Sequence, residues 1–158
     1  MTKEEFERRL IDMQDTMYRV ASTILNRSCD REDAIQECVY RALRKRASLK
    51  SDDAMRGWVI RILINECYAI LRRAKRECLS DELPEAQPRP DPGANDDVFR
   101  ALFSLGRDLR LPLVLHYVEG YSVEEIARVL RVPAGTVKSR MNRARKKLKL
   151  ELEEEANG

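Results

Sequence analysis

Residues 119–149 read EGYSVEEIARVLRVPAGTVKSRMNRARKKLK. Ser122 and Glu125 have the spacing of a capping box, in which each side chain bonds the backbone N–H of the other residue at a helix start. A helix is therefore predicted to begin at about Val123. The residue before a proline avoids helical backbone angles, so Val132-Pro133 is predicted to end this helix.

The residues that follow predict a turn and a second helix. Thr136 comes after the turn over 133–135 and can cap a helix from Val137 to about Leu150. Residues 127–150 include basic side chains and no acidic ones, although the whole chain carries only +3. A short basic helix of this kind fits the DNA major groove, so the pattern favours a DNA-binding helix-turn-helix over a solvated helix of an ordinary bundle. The predicted outward face consists of Lys138, Ser139, Arg140, Asn142, Arg143, Arg145 and Lys146.

The composition favours a small all-α protein. The chain has 158 residues, of which 36% are charged and 43% hydrophobic. Helical periodicity recurs nearly everywhere, and no stretch alternates convincingly with the period of a strand. No apolar run reaches the length of a membrane span and the first residues are charged, so we expect a cytoplasmic protein without a secretory signal or direct membrane insertion.

Cysteine and histidine are too sparse and scattered to predict a metal or cofactor site. Cys29, Cys38, Cys67 and Cys78 lack C-x-x-C spacing, so free thiols in a reducing compartment are expected. His116 is the only histidine, which leaves little for a metal cluster or a nucleophile-histidine pair. These residues therefore favour neither a cysteine- or histidine-based metal site nor a nucleophile-histidine catalytic site.

The first half of the chain predicts a helical domain over residues 1–76. Thr2 opens another capping box, and apolar residues recur at helical spacing as far as Leu25, which predicts one long helix. Asp30 is predicted to cap the next helix. A polar loop then precedes a further helix over residues 55–76.

An abrupt change in composition separates this domain from a second one, residues 98–150. Residues 77–97 contain seven acids, one arginine and four prolines without apolar periodicity, which is typical of a flexible linker. In the second domain a short helix precedes one from about Arg107 to Val118, and Pro112 is expected to delay or kink the latter. The acidic residues 151–158 are predicted to form a frayed tail.

Two surfaces of the first domain suggest a binding role. One is acidic and contains Asp33 and Glu37, one helical turn apart. Without accompanying histidines this pair is a poor candidate for metal or acid-base chemistry, so the face is either solvated or docks on a partner. The other surface interleaves basic residues with Trp58 and Tyr68, a pattern that suits single-stranded nucleic acid. A lone tryptophan in an apolar helix is nevertheless more often a core residue.

Two separate stretches resemble one protein family. Residues 30–37, DREDAIQE, are similar to the D-x-E-D-[hydrophobic]-x-Q-E signature of bacterial RNA polymerase sigma factors of the extracytoplasmic-function (ECF) group. Residues 57–65, GWVIRILIN, with Arg72-Arg73, resemble the family's W-L-x-x-I-x-x-N…R-R helix. The second half resembles region four of the same factors at residues 119–122, EGYS, at 125–127, EIA, and at 135–145, GTVKSR…RAR. Either match alone leaves the family ambiguous. Both matches in this order, separated by an acidic linker, are specific for this family.

The resemblance implies an alternative sigma factor that has regions two and four only and directs promoter-specific transcription initiation. Such a factor binds and does not catalyse, so we expect no enzyme activity, catalytic residue, metal, cofactor or small-molecule substrate. Region two would dock on the clamp helices of the largest subunit of core RNA polymerase through Asp33, Gln36 and Glu37. Its loop and the helix that follows would recognise and melt the −10 element and capture an unstacked base. The residues implied for −10 DNA are Lys50, Ser51, Arg61, Asn65, Tyr68, Arg72 and Arg73.

Region four would place its second helix in the major groove of the −35 element and approach the polymerase flap. The resemblance also implies an anti-sigma factor, often membrane-bound, which would hold the protein inactive at the inner face of the membrane. By matching positions, Lys138, Ser139, Asn142 and Arg143 would face base edges, and Thr136, Arg140, Arg145 and Lys146 would face phosphates.

Two other functions are open on the residues alone. The first is an autonomous helix-turn-helix transcription regulator, whose first half would sense a ligand or dimerise and whose DNA site would be palindromic. The second is a small metal-dependent nuclease, which would act without polymerase and be inhibited by chelators.

Overall fold

The structure, a computed structural model, describes residues 1–77 and 96–157. Every regular element in these residues is an α-helix or a short 3₁₀ turn, which confirms the predicted all-α class. The chain divides into two compact units, Met1–Ala86 and Gln87–Gly158.

The linker predicted at 77–97 lies mostly outside the described residues. Its first residue, Glu77, is the last residue of a helix, and its last two, Asp96 and Asp97, begin another. The described part of the predicted linker is therefore helical.

Within residues 1–77 the first unit consists of α1 (Lys3–Asp12), α2 (Gln14–Ile24), α3 (Ser28–Arg44) and α4 (Met55–Glu77). The polar loop before α4 contains two 3₁₀ turns, Arg46–Ser48 and Asp52–Ala54. The helix predicted over 55–76 is confirmed to within one residue.

The capping box at Thr2 is confirmed, but the single long helix predicted after it is wrong. The Thr2 hydroxyl accepts a hydrogen bond from the Glu5 N–H at 3.2 Å. The helix is interrupted at Met13, whose φ of −89° and ψ of 0° depart from helical values. The Met13 N–H is shared between the carbonyl oxygens of Arg9 and Leu10, each at 3.1 Å. Apolar spacing continues across this break, so the periodicity could not reveal it.

The predicted start of α3 is also wrong. The helix begins at Ser28, with Arg27 at the N-cap position, and Asp30 lies inside the first turn. There its carboxylate faces the positive end of the helix dipole. Arg31 fixes the preceding connection, because its Nε donates to the Leu25 carbonyl at 3.0 Å and its Nη2 to the carbonyl of Asn26 at 2.8 Å.

The core of the first unit lies where α4 packs on α2 and α3. On α3 the buried side chains are small, namely Ala34, Cys38 and Ala42. Trp58 is only half-buried and meets Phe6 edge to face, with ring centroids 6.2 Å apart. The residues of α4 that are buried are Met55, Val59, Ile60, Leu63, Ile64 and Cys67.

Within residues 96–157 the second unit consists of α5 (Asp96–Ser104), α6 (Arg107–Tyr117), α7 (Val123–Leu130) and α8 (Ala134–Asn157). The predicted effect of Pro112 on the start of α6 is wrong, since the helix begins at Arg107 and includes the proline. Arg110 is buried, and its Nη1 donates to the carbonyls of Phe103 and Leu105 at 3.0 and 3.2 Å. It thereby satisfies carbonyl groups at the end of α5.

The capping box that starts α7 is confirmed. The Ser122 hydroxyl accepts from the Glu125 N–H at 3.1 Å, and the Ser122 N–H donates to Glu125 Oε1 at 3.2 Å. The helix ends at Leu130, and Arg131 caps it with a left-handed backbone, φ 56° and ψ 46°.

The cap predicted for α8 is wrong, because the helix begins two residues before Thr136. The N–H groups of Thr136 and Val137 donate to the Pro133 carbonyl at 3.0 and 3.2 Å, so Pro133 lies at the cap. The predicted end is wrong as well, because α8 continues through the acidic residues to Asn157.

The cysteines follow the expectation of free thiols as far as they are described. Cys29 is exposed, Cys38 and Cys67 are buried, and Cys78 lies outside the described residues. Burial raises the pKa of the Cys38 thiol from 9.0 to about 12, with smaller contributions from Cys67 and Glu66. Burial also raises the pKa of the Cys67 thiol to about 12, with a smaller contribution from the negative charge of Glu66. Both thiols are therefore protonated at neutral pH.

These two thiols predict a loss of stability in alkali. The unfolded chain releases the two protons near the ordinary pKa of 9.0, whereas the folded protein holds them to about 12. Their contribution to stability is therefore complete below pH 9.0 and is lost as pH rises toward 12. Urea unfolding at pH 8 and pH 10 measures this fall. The variant with Cys38→Ala and Cys67→Ala should show a smaller fall, and an equal one would contradict the assignment.

Candidate functional site

A groove of about 940 Å³ lies between α3 and α4. It brings the predicted polymerase-binding residues of α3 together with part of the predicted −10 DNA set on α4. We name it the α3–α4 groove. Its lining consists of Asp33, Ala34, Gln36, Glu37, Tyr40 and Arg41 from α3, and of Asn65, Glu66, Ala69, Ile70, Arg72 and Arg73 from α4.

The α3 wall of this groove carries the acidic face predicted from the sequence. Asp33 and Gln36 are exposed and Glu37 is half-buried. Glu37 is not a solitary carboxylate, because the Arg41 Nε donates to its Oε1 at 3.0 Å. The same Nε lies 2.9 Å from Oε1 of Glu66 on α4.

Sequence reasoning did not identify Arg41 and Glu66. The spacing of Glu37 and Arg41 is that of an i,i+4 ion pair, so that part was visible in the sequence. The contact with Glu66 crosses from one helix to another, and no local pattern indicates it.

The predicted −10 DNA residues are only partly brought together. Asn65, Arg72 and Arg73 line the α3–α4 groove, and all three are exposed. Arg61 and Tyr68 are half-buried on α4 and are not among the residues that line this groove. Lys50 and Ser51 are exposed in the short connection between the two 3₁₀ turns that precede α4.

The second candidate surface is the outward face of α8. Val137, Met141 and Ala144 are buried, which turns the intervening residues outward. The predicted DNA-binding residues lie at these outward positions. Lys138, Ser139, Asn142, Arg143, Arg145 and Lys146 are exposed, and Thr136 and Arg140 are half-buried.

Arg145 is held in place by two hydrogen bonds. Its Nη1 donates to the Tyr117 hydroxyl at 2.9 Å, and its Nη2 donates to Asn142 Oδ1 at 2.9 Å. Tyr117 lies at the end of α6 and was not predicted as a site residue. His116 is half-buried, and its Nδ1 lies 2.8 Å from the carbonyl oxygen of Tyr121.

Neither metal ligands nor a membrane span is found in the described ranges. Among residues 1–77 and 96–157, no three His, Cys, Asp or Glu side chains are grouped so that they could hold a metal ion. In the same ranges no helix has the length and apolar character needed to cross a membrane.

Two family models and several sequence relatives indicate the same protein family. Residues 10–77 match the family model of sigma-70 region 2, and residues 96–148 match that of sigma-70, region 4. The chain is 37% identical over 135 residues to the ECF RNA polymerase sigma factor SigM of Mycobacterium tuberculosis, covering 84% of this chain and 69% of SigM. It is 33% identical over 136 residues to the ECF RNA polymerase sigma-E factor of Escherichia coli, covering 75% of this chain and 71% of the sigma-E factor.

A solved structure agrees with these relatives. The sigma factor RpoE of Bartonella quintana, in complex with the anti-sigma factor NepR, has a TM-score of 0.84 and 26% identity, covering 95% of this chain and 98% of RpoE. The fold, the two family models and the sequence relatives lead to the same result. The chain belongs to the ECF group of the sigma-70 family, and it is an alternative sigma factor that directs promoter-specific transcription initiation.

Proposed function

We propose that the α3 wall of the α3–α4 groove is the surface that docks on core RNA polymerase. Asp33, Gln36 and Glu37 are accessible there on adjacent turns of one helix. Two carboxylates on a rigid helix suit a cationic protein surface. The family resemblance supports the clamp helices of the largest subunit as that surface. The flap of the polymerase is the corresponding partner of the second unit.

Promoter melting is assigned to the opposite wall and to the loop before α4. Opening the duplex and extruding a base costs a few kcal/mol, which tighter binding of the opened strand offsets. Asn65, Arg72 and Arg73 supply amide and guanidinium donors next to the docking wall. DNA opened at this position would therefore lie beside the polymerase surface. Lys50, Ser51, Arg61 and Tyr68 complete the proposed −10 set.

Recognition of the −35 element is assigned to α8. Its first turns are well suited to the major groove, because their outward side chains are polar or cationic and the buried ones hold the helix on its own unit. We propose base contacts for Lys138, Ser139, Asn142 and Arg143, and phosphate contacts for Thr136, Arg140, Arg145 and Lys146.

The protein is proposed to act in the cytoplasm, by binding and without catalysis or a cofactor. Core polymerase supplies the active site, and this chain supplies promoter choice. An anti-sigma factor is a further proposed partner. RpoE of Bartonella quintana was solved with NepR, which supports the existence of such a partner for a protein of this fold.

The observation that carries this proposal is the exposure of both predicted binding faces, the docking wall on α3 and the outward face of α8. Run-off transcription with sigma-free core polymerase tests it. We expect defined starts only when the protein is added. The variant with Asp33→Lys and Glu37→Lys should lose these starts, because reversed charges repel a cationic partner. Glu4→Lys with Glu7→Lys on α1 is the matched control and should retain them. Specific DNA binding without initiation on any promoter would instead support an autonomous regulator.

The proposed base contacts and phosphate contacts of α8 predict different losses of DNA affinity when their residues are replaced. Arg143→Ala should weaken binding to the preferred −35 sequence by about 1 to 3 kcal/mol and relax preference at one position. Lys146→Ala should weaken binding to all sequences alike and reduce the salt dependence. Binding of the full chain to a library of duplexes at two salt concentrations measures both effects. Equal dependence on sequence in the two variants would contradict this division.

The Tyr117 hydroxyl is expected to contribute to DNA binding through Arg145. Tyr117→Phe removes the acceptor that holds this guanidinium, so duplex binding should weaken by about threefold to tenfold, within the net range of about 0.5 to 1.5 kcal/mol for one intramolecular hydrogen bond. Tyr18→Phe is the matched control, because Tyr18 accepts from Arg31 Nη1 at 3.1 Å in the first unit and lies outside both proposed binding surfaces. Unchanged duplex affinity in Tyr117→Phe would show that the Arg145 contact does not depend on this bond.

A further inference from the structure

We infer that Arg41 and Glu66 are positioning residues, which orient the Glu37 carboxylate for docking on core polymerase. The inference rests on the docking function proposed above and adds a part of the site that lies on α4. Among these three residues, the inference assigns the direct contact with the partner to Glu37, which docks together with Asp33 and Gln36.

The geometry is a bridge of one cation and two carboxylates. Arg41 Nε lies 3.0 Å from Glu37 Oε1 and 2.9 Å from Glu66 Oε1. Glu37 and Arg41 are one turn apart on α3, and Glu66 lies on α4. The guanidinium is therefore held from both helices, and its position fixes that of Glu37.

Burial distinguishes the roles of the two carboxylates. The Glu66 side chain is 13% exposed, whereas the side chains of Glu37 and Arg41 are each 46% exposed. A large partner can reach Glu37, but Glu66 offers it little surface. Glu66 therefore acts mainly on Arg41.

Charge explains why this arrangement favours docking. One guanidinium between two carboxylates leaves a net charge of −1, so the bridge still attracts a cationic surface. Arg41 also keeps the two carboxylates from repelling each other across the helix interface. A carboxylate already held in one rotamer loses less conformational entropy when the partner binds. Without Glu66, Arg41 would be fixed from one side only and Glu37 would be more mobile.

A double-mutant cycle on binding of the fluorescently labelled full chain to core polymerase tests the inference. Glu66→Gln should weaken binding by about threefold to tenfold when Glu37 is present. In the Glu37→Gln background the same change should have no further effect, because the carboxylate that Glu66 orients is absent. Glu66→Asp keeps the charge and should restore part of the affinity.

The matched control is Glu7→Gln, which removes the same charge from the Lys3–Glu7 ion pair at 3.9 Å on α1. It should leave polymerase binding unchanged. Urea unfolding of each variant identifies losses that come from stability, since such losses would appear equally with and without Glu37.

Two results would overturn the inference and leave the docking proposal intact. The first is that Glu66→Gln leaves the affinity for core polymerase unchanged. The second is that Glu66→Gln lowers this affinity equally with Glu37 present and with Glu37→Gln. Both apply when Glu37→Gln by itself weakens binding. If Asp33→Lys with Glu37→Lys leaves affinity unchanged, the docking proposal fails and the inference fails with it. These outcomes separate the two ideas.

Discussion

The packing of α3 on α4 is the interaction on which the first unit depends. The side chains that α3 buries are small, and small side chains at a contact let two helices lie close together. Polar residues at the rim of this contact then become two walls of one groove. Glu37 and Arg72 are far apart in the sequence, yet they line the same groove. The fold thereby places proposed polymerase and promoter contacts side by side.

A short turn has the corresponding role in the second unit. Arg131 adopts a left-handed conformation at the end of α7, and the Pro133 carbonyl accepts the first N–H bonds of α8. These constraints set the direction in which α8 leaves the turn. The two helices pack on each other, and Ile126 of α7 and Val137 of α8 are fully buried, so the buried side of α8 is fixed as well. The cationic face is outward as a consequence.

Charged residues at both surfaces already have partners within the chain. Arg41 connects Glu37 to Glu66, and Arg145 is bonded to Tyr117 and Asn142. A guanidinium that is already held in one orientation has fewer rotamers to lose when a partner binds, so binding costs less conformational entropy. The same bonds compete with a partner for the donors. We therefore expect affinity for polymerase and DNA to depend on internal neighbours as well as on the exposed contact residues.

The sequence by itself determined the all-α class, the capping boxes at Thr2 and Ser122, and the outward face of α8, because these depend on spacing within one helix. It also determined the family, through motifs in both halves. Only the tertiary structure decided the break at Met13, where apolar spacing continues without interruption. It alone showed the contacts of Glu66 and Tyr117, since each side chain bonds an arginine of another helix. Contacts between helices depend on how the helices pack, and the spacing of residues along one helix carries no record of that packing.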